Sequence, residues 1–184
     1  MGTVFSYNDI IRSFNELIYF TAITSIPNSA FYEDDNLRTM KIPTNVTSLG
    51  NYCFNLCKFT YLDFIPESVN AIPYNANMTF IGCIVPSSVT SVASRAFSGN
   101  VRYRSTTYMQ WVVFMPTTPP SFAGNPFYID YSNCKIYVPD DSVAAYKAAK
   151  NLTSHASRVY PISEMATYHP DDWNTYKDRF EGLY

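Results

Sequence analysis

Two histidines and four cysteines are the side chains with the most chemistry to offer, and their spacing gives them little to do. His155 lies in the polar stretch 151–158 and His169 directly precedes Pro170. A histidine acting as a base needs a nucleophile and an orienting partner, and no such set accompanies either ring. Cys53 and Cys57 are close in sequence, while Cys83 and Cys134 stand alone. A zinc site would need a second Cys or His pair at ligand spacing, which is missing. Whether any two cysteines form a disulfide is left open by the spacing. The acidic pairs Asp34-Asp35, Asp140-Asp141 and Asp171-Asp172 supply fewer oxygens than calcium requires. The last two pairs stand at helix starts, where carboxylates favour the helix dipole. With 6 glycines the chain has no phosphate-cradling loop. The sequence therefore implies no catalytic residue, no metal and no cofactor.

Bulk properties narrow the remaining classes. A length of 184 residues fits one domain, and 47% hydrophobic against 15% charged residues is the balance of an ordered chain. The net charge is -2 and the basic residues are scattered, so the electrostatic footprint of a nucleic-acid binder is missing. No apolar run is long enough to cross a membrane as a helix. Asp9, Arg12 and Glu16 interrupt the place where a signal peptide would need an uncharged apolar segment. Aromatic residues reach 17%, with 16 tyrosines. That bias suits binding surfaces, and it equally suits a thin core in which few side chains are fully buried.

The elements that must carry these residues show a repeat. Similar segments begin at Ile23, Val46, Val69 and Val89, spaced by 23, 23 and 20 residues. Pro43, Pro66 and Pro86 recur at the same intervals, and a small residue followed by phenylalanine recurs at Ala30-Phe31, Cys53-Phe54 and Ala96-Phe97. Each unit holds a short alternating segment that ends in proline, which cannot donate to a strand ladder. Counting back from the proline predicts inward residues: Leu37, Met40 and Ile42; Phe80, Cys83 and Val85; Val113 and Met115; Ile136 and Val138. In the second unit Phe59, Leu62 and Phe64 keep this spacing, and Ile65 is an extra residue that predicts a bulge. One unit cannot bury its own apolar side, whereas stacked units share a core. Cys53, Cys57 and Cys83 then read as small buried hydrophobes.

These units resemble BspA-type leucine-rich repeats. The best matches are MKIPTNVTSLGNYCFNLC, from Met40 to Cys57, and VPSSVTSVASRAF, from Val85 to Phe97. The stretches TTPPSFAGNPF, from Thr117, and CKIYVPDDSVAAYKAAK, from Cys134, are similar to the usual ending of such modules, and SFNELIYFTAITSIPNSAF, from Ser13, to their start. The resemblance covers roughly residues 10–162. The third unit departs most, with Ala76-Asn77 in place of Ala-Phe. The resemblance implies a leucine-rich-repeat solenoid of short parallel strands, turn-like connections and helical caps at both ends.

The expected division is an N-terminal helical cap over 1–22, the repeat with its C-terminal capping segment over 23–162, and an aromatic tail helix over 163–184. Ser6 and Asp9 fit a capping box, and Ile10, Ile11, Phe14, Leu17 and Ile18 follow at helical spacing. After Pro139 a second helix is expected, capped by Asp140 or Asp141, with Val143, Tyr146 and Ala149 facing the last unit. Strand structure is expected at 111–115 and extended backbone at 117–120. In the tail, Pro170 can start a helix that carries Trp173, Tyr176 and Phe180 on one side. That stripe either folds back onto the repeat or docks on a partner as an assembly device.

The outward sides of the strands are the other candidate surface. The outward row is expected to hold Lys41, Asp63, Ile84, Phe114 and Tyr137, next to Thr39, Tyr61, Gly82, Val112 and Lys135. Tyr61, Ile84, Phe114 and Tyr137 are then a candidate binding face, unless another segment covers them. The resemblance implies a noncatalytic interaction or adhesion module, displayed extracellularly on a bacterial surface. Its partner would be a host surface protein. A phage virion component, in contact with other structural subunits or further copies of the chain, and a glycan-binding accessory domain are the alternatives.

Overall fold

The computed structural model describes residues 5–59, 61–63, 65–76, 81–98, 109–127 and 133–184. Its strands are short and recur with the sequence period. One set contains β2 (Ser25–Ile26), β4 (Ser48–Leu49), β6 (Ala71–Ile72), β8 (Ser91–Val92) and β10 (Ser121–Phe122). The other contains β1 (Ser13–Phe14), β3 (Thr39–Met40), β5 (Tyr61–Leu62), β7 (Gly82–Val85), β9 (Trp111–Phe114), β11 (Lys135–Val138) and β12 (Val159–Pro161). Every pairing among them is parallel. The sheets are β2-β4, β6-β8-β10, β1-β3 and the five-stranded β5-β7-β9-β11-β12.

The register follows the repeat. Ile26 lies opposite Leu49, and Val92 opposite both Ile72 and Phe122. These five side chains are buried, as are Val46, Val69 and Val89 at the unit starts. A third row of contacts joins the turns that follow the short strands. Phe31 N–H donates to Cys53 O at 2.9 Å, Phe54 N–H to Ala76 O at 3.1 Å, and Phe97 N–H to Pro126 O at 2.9 Å. Here the earlier unit donates. In the strand row the later unit does: Gly50 N–H to Ile26 O at 2.7 Å and Ala93 N–H to Ile72 O at 2.9 Å. The first and second units, and the third and fourth, are thus tied to each other in both senses, while the second and third are joined through the turn row, where Tyr52 N–H donates to Tyr74 O and Phe54 N–H to Ala76 O.

The turn itself has a fixed shape. Ser29, Tyr52, Asn75 and Arg95 stand at the same place in successive units, with φ of 54°, 58°, 47° and 57°. That left-handed conformation is unusual for a residue with a Cβ, so its recurrence reports a geometry imposed by stacking. Just beyond it come the small buried residues Ala30, Cys53, Ala76 and Ala96, and then Phe31, Phe54 and Phe97. Phe31 and Phe54 stack with ring centroids 5.9 Å apart, as Phe97 and Phe127 do at 5.3 Å. All four cysteines are free and buried within this core, and none is bridged.

Three expectations need correction. The N-terminal segment is not an amphipathic α-helix. It contains β1, paired to β3 through Ser13 with Thr39 and Phe14 with Met40, and then a 3-10 helix at Asn15–Tyr19. Asn8 Oδ1 accepts the N–H of Ile10 and of Ile11, a local turn that competes with helix. Ser6 Oγ donates to Ser29 O instead of capping. Of the expected stripe Leu17 is buried, Ile11 and Phe14 pack against the core, and Ile10 is left 81% exposed.

The second correction concerns β9. Val112 lies opposite Cys83 and Ile136, and Phe114 opposite Val85, so Val112 and Phe114 point inward. Trp111 and Val113 take the outward places, and Met115 is an extra residue before Pro116. Counting back from the proline is therefore off by one, and one residue of slip exchanges the two faces of a strand. Inward Phe114 contacts the rings of Phe97, Phe122 and Tyr146 at centroid distances of 5.8, 5.8 and 5.9 Å.

The third is capping by Asp140 or Asp141. The helix α1 (Val143–Ala148) forms after a 3-10 turn at Asp140–Ser142, without a side-chain cap. Asp140 Oδ1 instead accepts Ser163 N–H at 3.1 Å. Tyr146 is buried with its hydroxyl on Pro116 O at 2.8 Å, and Val143 and Ala149 pack against the core, as the helical spacing predicts. Phe64, Asn77 and Phe80, on which the bulge and the irregular third unit turn, lie outside the described residues.

Candidate interaction surface

The outward side of the five-stranded sheet carries an aromatic and aliphatic field: Tyr61, Ile84, Trp111, Val113 and Tyr137. Parallel strands place these side chains side by side, about 4.8 Å apart from strand to strand. Left open, such a field would be an apolar patch. It is covered by residues 162–184 of the same chain. This tail holds α2 (Met165–Tyr168) and α3 (Pro170–Tyr176), followed by a 3-10 turn at Lys177–Phe180. Pro170 occupies the start of α3, where its missing N–H costs nothing. Ile162, Met165, Tyr176 and Phe180 are buried against the sheet, and Trp173 is partly buried beside them.

The packing is aromatic at its centre. Trp111 stacks on Tyr61 at 6.0 Å, and Tyr176 meets both rings edge to face at 5.9 and 6.0 Å. Gly82 makes room for the indole: a Cβ there would lie 2.1 Å from Trp111 Cζ2. Polar bonds fix the register. Trp111 Nε1 donates to Asp172 Oδ2 at 2.8 Å, Tyr176 Oη to Asp63 Oδ2 at 3.0 Å, and Arg179 Nη1 to Asp63 O at 2.7 Å. Asp140 N–H donates to Leu183 O at 2.9 Å, and Lys135 Nζ lies over the rings of Tyr160 and Tyr168 at 4.1 and 3.7 Å. Burial pushes the Tyr137 and Tyr176 hydroxyls well above the usual tyrosine range.

The two surfaces singled out in the sequence therefore meet each other. Tyr61, Ile84 and Tyr137 lie under the tail, and Tyr176 and Phe180 of the stripe are what covers them, with Trp173 at the margin. Phe114 is not part of this field and belongs to the inner core. Neither surface stands open while the tail is docked.

Groups with catalytic potential are dispersed or engaged. His155 Nε2 pairs with Asn125 Oδ1 at 2.8 Å and its Nδ1 with Arg158; burial, then the Arg158 charge, lower its pKa. His169 sits edge-on to Tyr137 at 5.9 Å, with Asp172 at 4.0 Å. Burial lowers its pKa, against Asp172 and with Lys135. Burial raises every thiol, that of Cys134 to about 12. Among the described residues no three or more His, Cys, Asp or Glu converge as a metal site. No helix there is long and apolar enough to cross a membrane.

A second feature was not legible in the sequence. Tyr7, Tyr32, Tyr52 and Tyr74 form a row along the turn side, with successive ring centroids at 5.5, 6.4 and 5.4 Å. The last three occupy different places within their units, so no periodic signal marks them.

The repeated register, the turn geometry and the shared core agree with comparison to known families. The family model for the BspA type leucine rich repeat region matches residues 4–117, in 6 copies. The chain belongs to the BspA-type leucine-rich repeat family. The match extends the repeat beyond the four units legible from Ile23 onward, towards both ends, and it stops before the tail. No curated protein matches the chain. For a leucine-rich repeat protein, a protein-interaction module is the consistent functional class, and the docked tail is what this chain adds outside the matched region.

Proposed function

We propose that this BspA-type chain is a short solenoid acting as a noncatalytic protein-interaction module, of the adhesion kind found on bacterial surfaces. The N-terminal segment 1–22 and the helix after Pro139 serve as its ends, and 163–184 as an intramolecular cover. The observation that carries the reading is the parallel, unit-by-unit ladder. It sets successive short segments side by side, which suits recognition of an extended partner, while among the described residues no acid, base or nucleophile set accompanies it. A phage virion component is the alternative; a tail free to assemble with other subunits would favour it, and here the tail packs within its own chain.

Native mass spectrometry of the protein isolated from its source, followed by cross-link mapping, tests the reading. A stoichiometric protein partner with cross-links on the repeat is the expected result. A bare monomer that turns over a substrate would overturn it.

A further inference from the structure

We propose that the tyrosine row binds a proline-rich peptide in the polyproline II conformation, flanked by a basic residue. The proposal deepens the interaction-module reading and rests on it. Tyr7 is 69% exposed and Tyr32, Tyr52 and Tyr74 are half-buried. With Ser6 and Ser29, the first three line a surface cleft of about 600 Å³. Tyrosine offers a flat apolar ring and a hydroxyl at its tip. A polyproline II segment needs both. Its prolines pack against exposed aromatic surfaces, and its carbonyls, which make no internal hydrogen bonds, accept from hydroxyl donors. At about 9 Å per turn, between one and two turns fit along the three ring-to-ring steps of 5.5, 6.4 and 5.4 Å. The ligand is already extended, so little ordering entropy opposes binding.

Charge sets its polarity. Asp9 is two residues from Tyr7 in the sequence, and Glu33 and Asp35 follow Tyr32; none of the three is held in an ion pair by a described residue. At the other end Arg95 Nη1 donates to the Tyr74 hydroxyl at 3.3 Å. A basic residue of the ligand is therefore attracted to the Tyr7 end. This row is on the turn side and is not covered by the 162–184 tail, which packs on the five-stranded sheet.

Fluorescence polarisation of the full chain with a labelled oligoproline peptide carrying two arginines tests this. Saturable binding is expected, weakened about tenfold or more in the Tyr32→Ser, Tyr52→Asn double variant; asparagine tolerates the positive φ at position 52. Tyr7→Asn, at the exposed end of the row and likewise at a positive φ of 60°, provides a second variant with no core contact to lose, and it too should weaken binding. The same peptide with glycine for proline, and neutral cello-oligosaccharides, complete the comparison. Lack of saturable binding overturns the proposal. So does equal binding of the glycine peptide, unchanged affinity in both variants, or binding of the sugars alone. A protein partner cross-linked elsewhere on the repeat, with no oligoproline binding, would remove this inference and leave the interaction-module reading standing.

Discussion

Trp111, in the middle of the five-stranded sheet, donates its indole N–H to Asp172 of the tail at 2.8 Å, across 61 residues of sequence. The bond depends on Gly82, the residue opposite Trp111 on the adjacent strand. A methyl group there would come within 2.2 Å of both Cζ2 and Cε2 of the indole. Alanine in a strand would ordinarily gain stability through the unfolded chain. Here Gly82→Ala should instead cost about 1–3 kcal/mol by overpacking and loosen the tail. Urea titration and limited proteolysis read both effects. A variant as stable as the parent, with an equally resistant tail, contradicts the cradle.

Removing the tail after Ile162 should uncover Tyr61, Ile84, Trp111, Val113 and Tyr137 together. Each large apolar side chain that loses its cover forfeits up to about 1.5–3 kcal/mol. The shortened chain should melt earlier, bind a hydrophobic dye and self-associate. Light scattering and dye fluorescence check this. A monomer that melts unchanged and binds no dye would show that the tail is dispensable.

Asp34 is fully buried, and its Oδ2 has no hydrogen-bond partner. Burial raises its pKa from 3.8 to about 6, against the stabilising N–H of Asn8 and with the nearby charge of Asp35. The folded chain therefore holds this proton more tightly than the unfolded chain. The corresponding stability is present below the unfolded value and is lost as pH rises from near 4 through 6, by roughly 3 kcal/mol at full ionisation. Asp34→Asn keeps an acceptor for Asn8 and removes the charge. It should raise stability at pH 7.5 and leave it nearly unchanged at pH 4. Denaturant midpoints at the two pH values decide, and equal shifts at both would contradict the assignment.

The four thiols are buried, and burial raises their pKa values. The thiolate is the reactive form. Ellman's reagent at pH 8 should therefore react slowly with the native chain and with all four cysteines in denaturant. Rapid native reaction of even one would mean that its unit opens readily.

The repeat was legible because its markers serve packing. The β-branched residues that open each unit, the small residue and the phenylalanine all pack in the core, so their period is the register of the strands. The faces of β9 were not legible from Pro116, since Met115 inserts a residue between strand and proline and inverts the alternation. The N-terminal apolar spacing was helical, yet Asn8 turns the chain and Phe14 gains a partner strand at Met40. Local pattern yielded there to pairing and turn chemistry. For the candidate surfaces, the sequence named Tyr61, Ile84, Tyr137, Tyr176 and Phe180 but could not tell that they would bury one another. Tertiary contact decided that, and spacing carries no record of it. The tyrosine row escaped notice because Tyr32, Tyr52 and Tyr74 take the tenth, seventh and sixth places of their units.

One edge strand of the five-stranded sheet, β12, is three residues long and ends in Pro161, opposite Val138. A ladder of parallel strands is a template that another molecule could extend, copy upon copy, into a fibril. Pro161 removes a donor from that template at its last position, and the brevity of the strand leaves few others. At this edge, the same stacking that makes the protein easy to lengthen within one chain is thereby discouraged between chains.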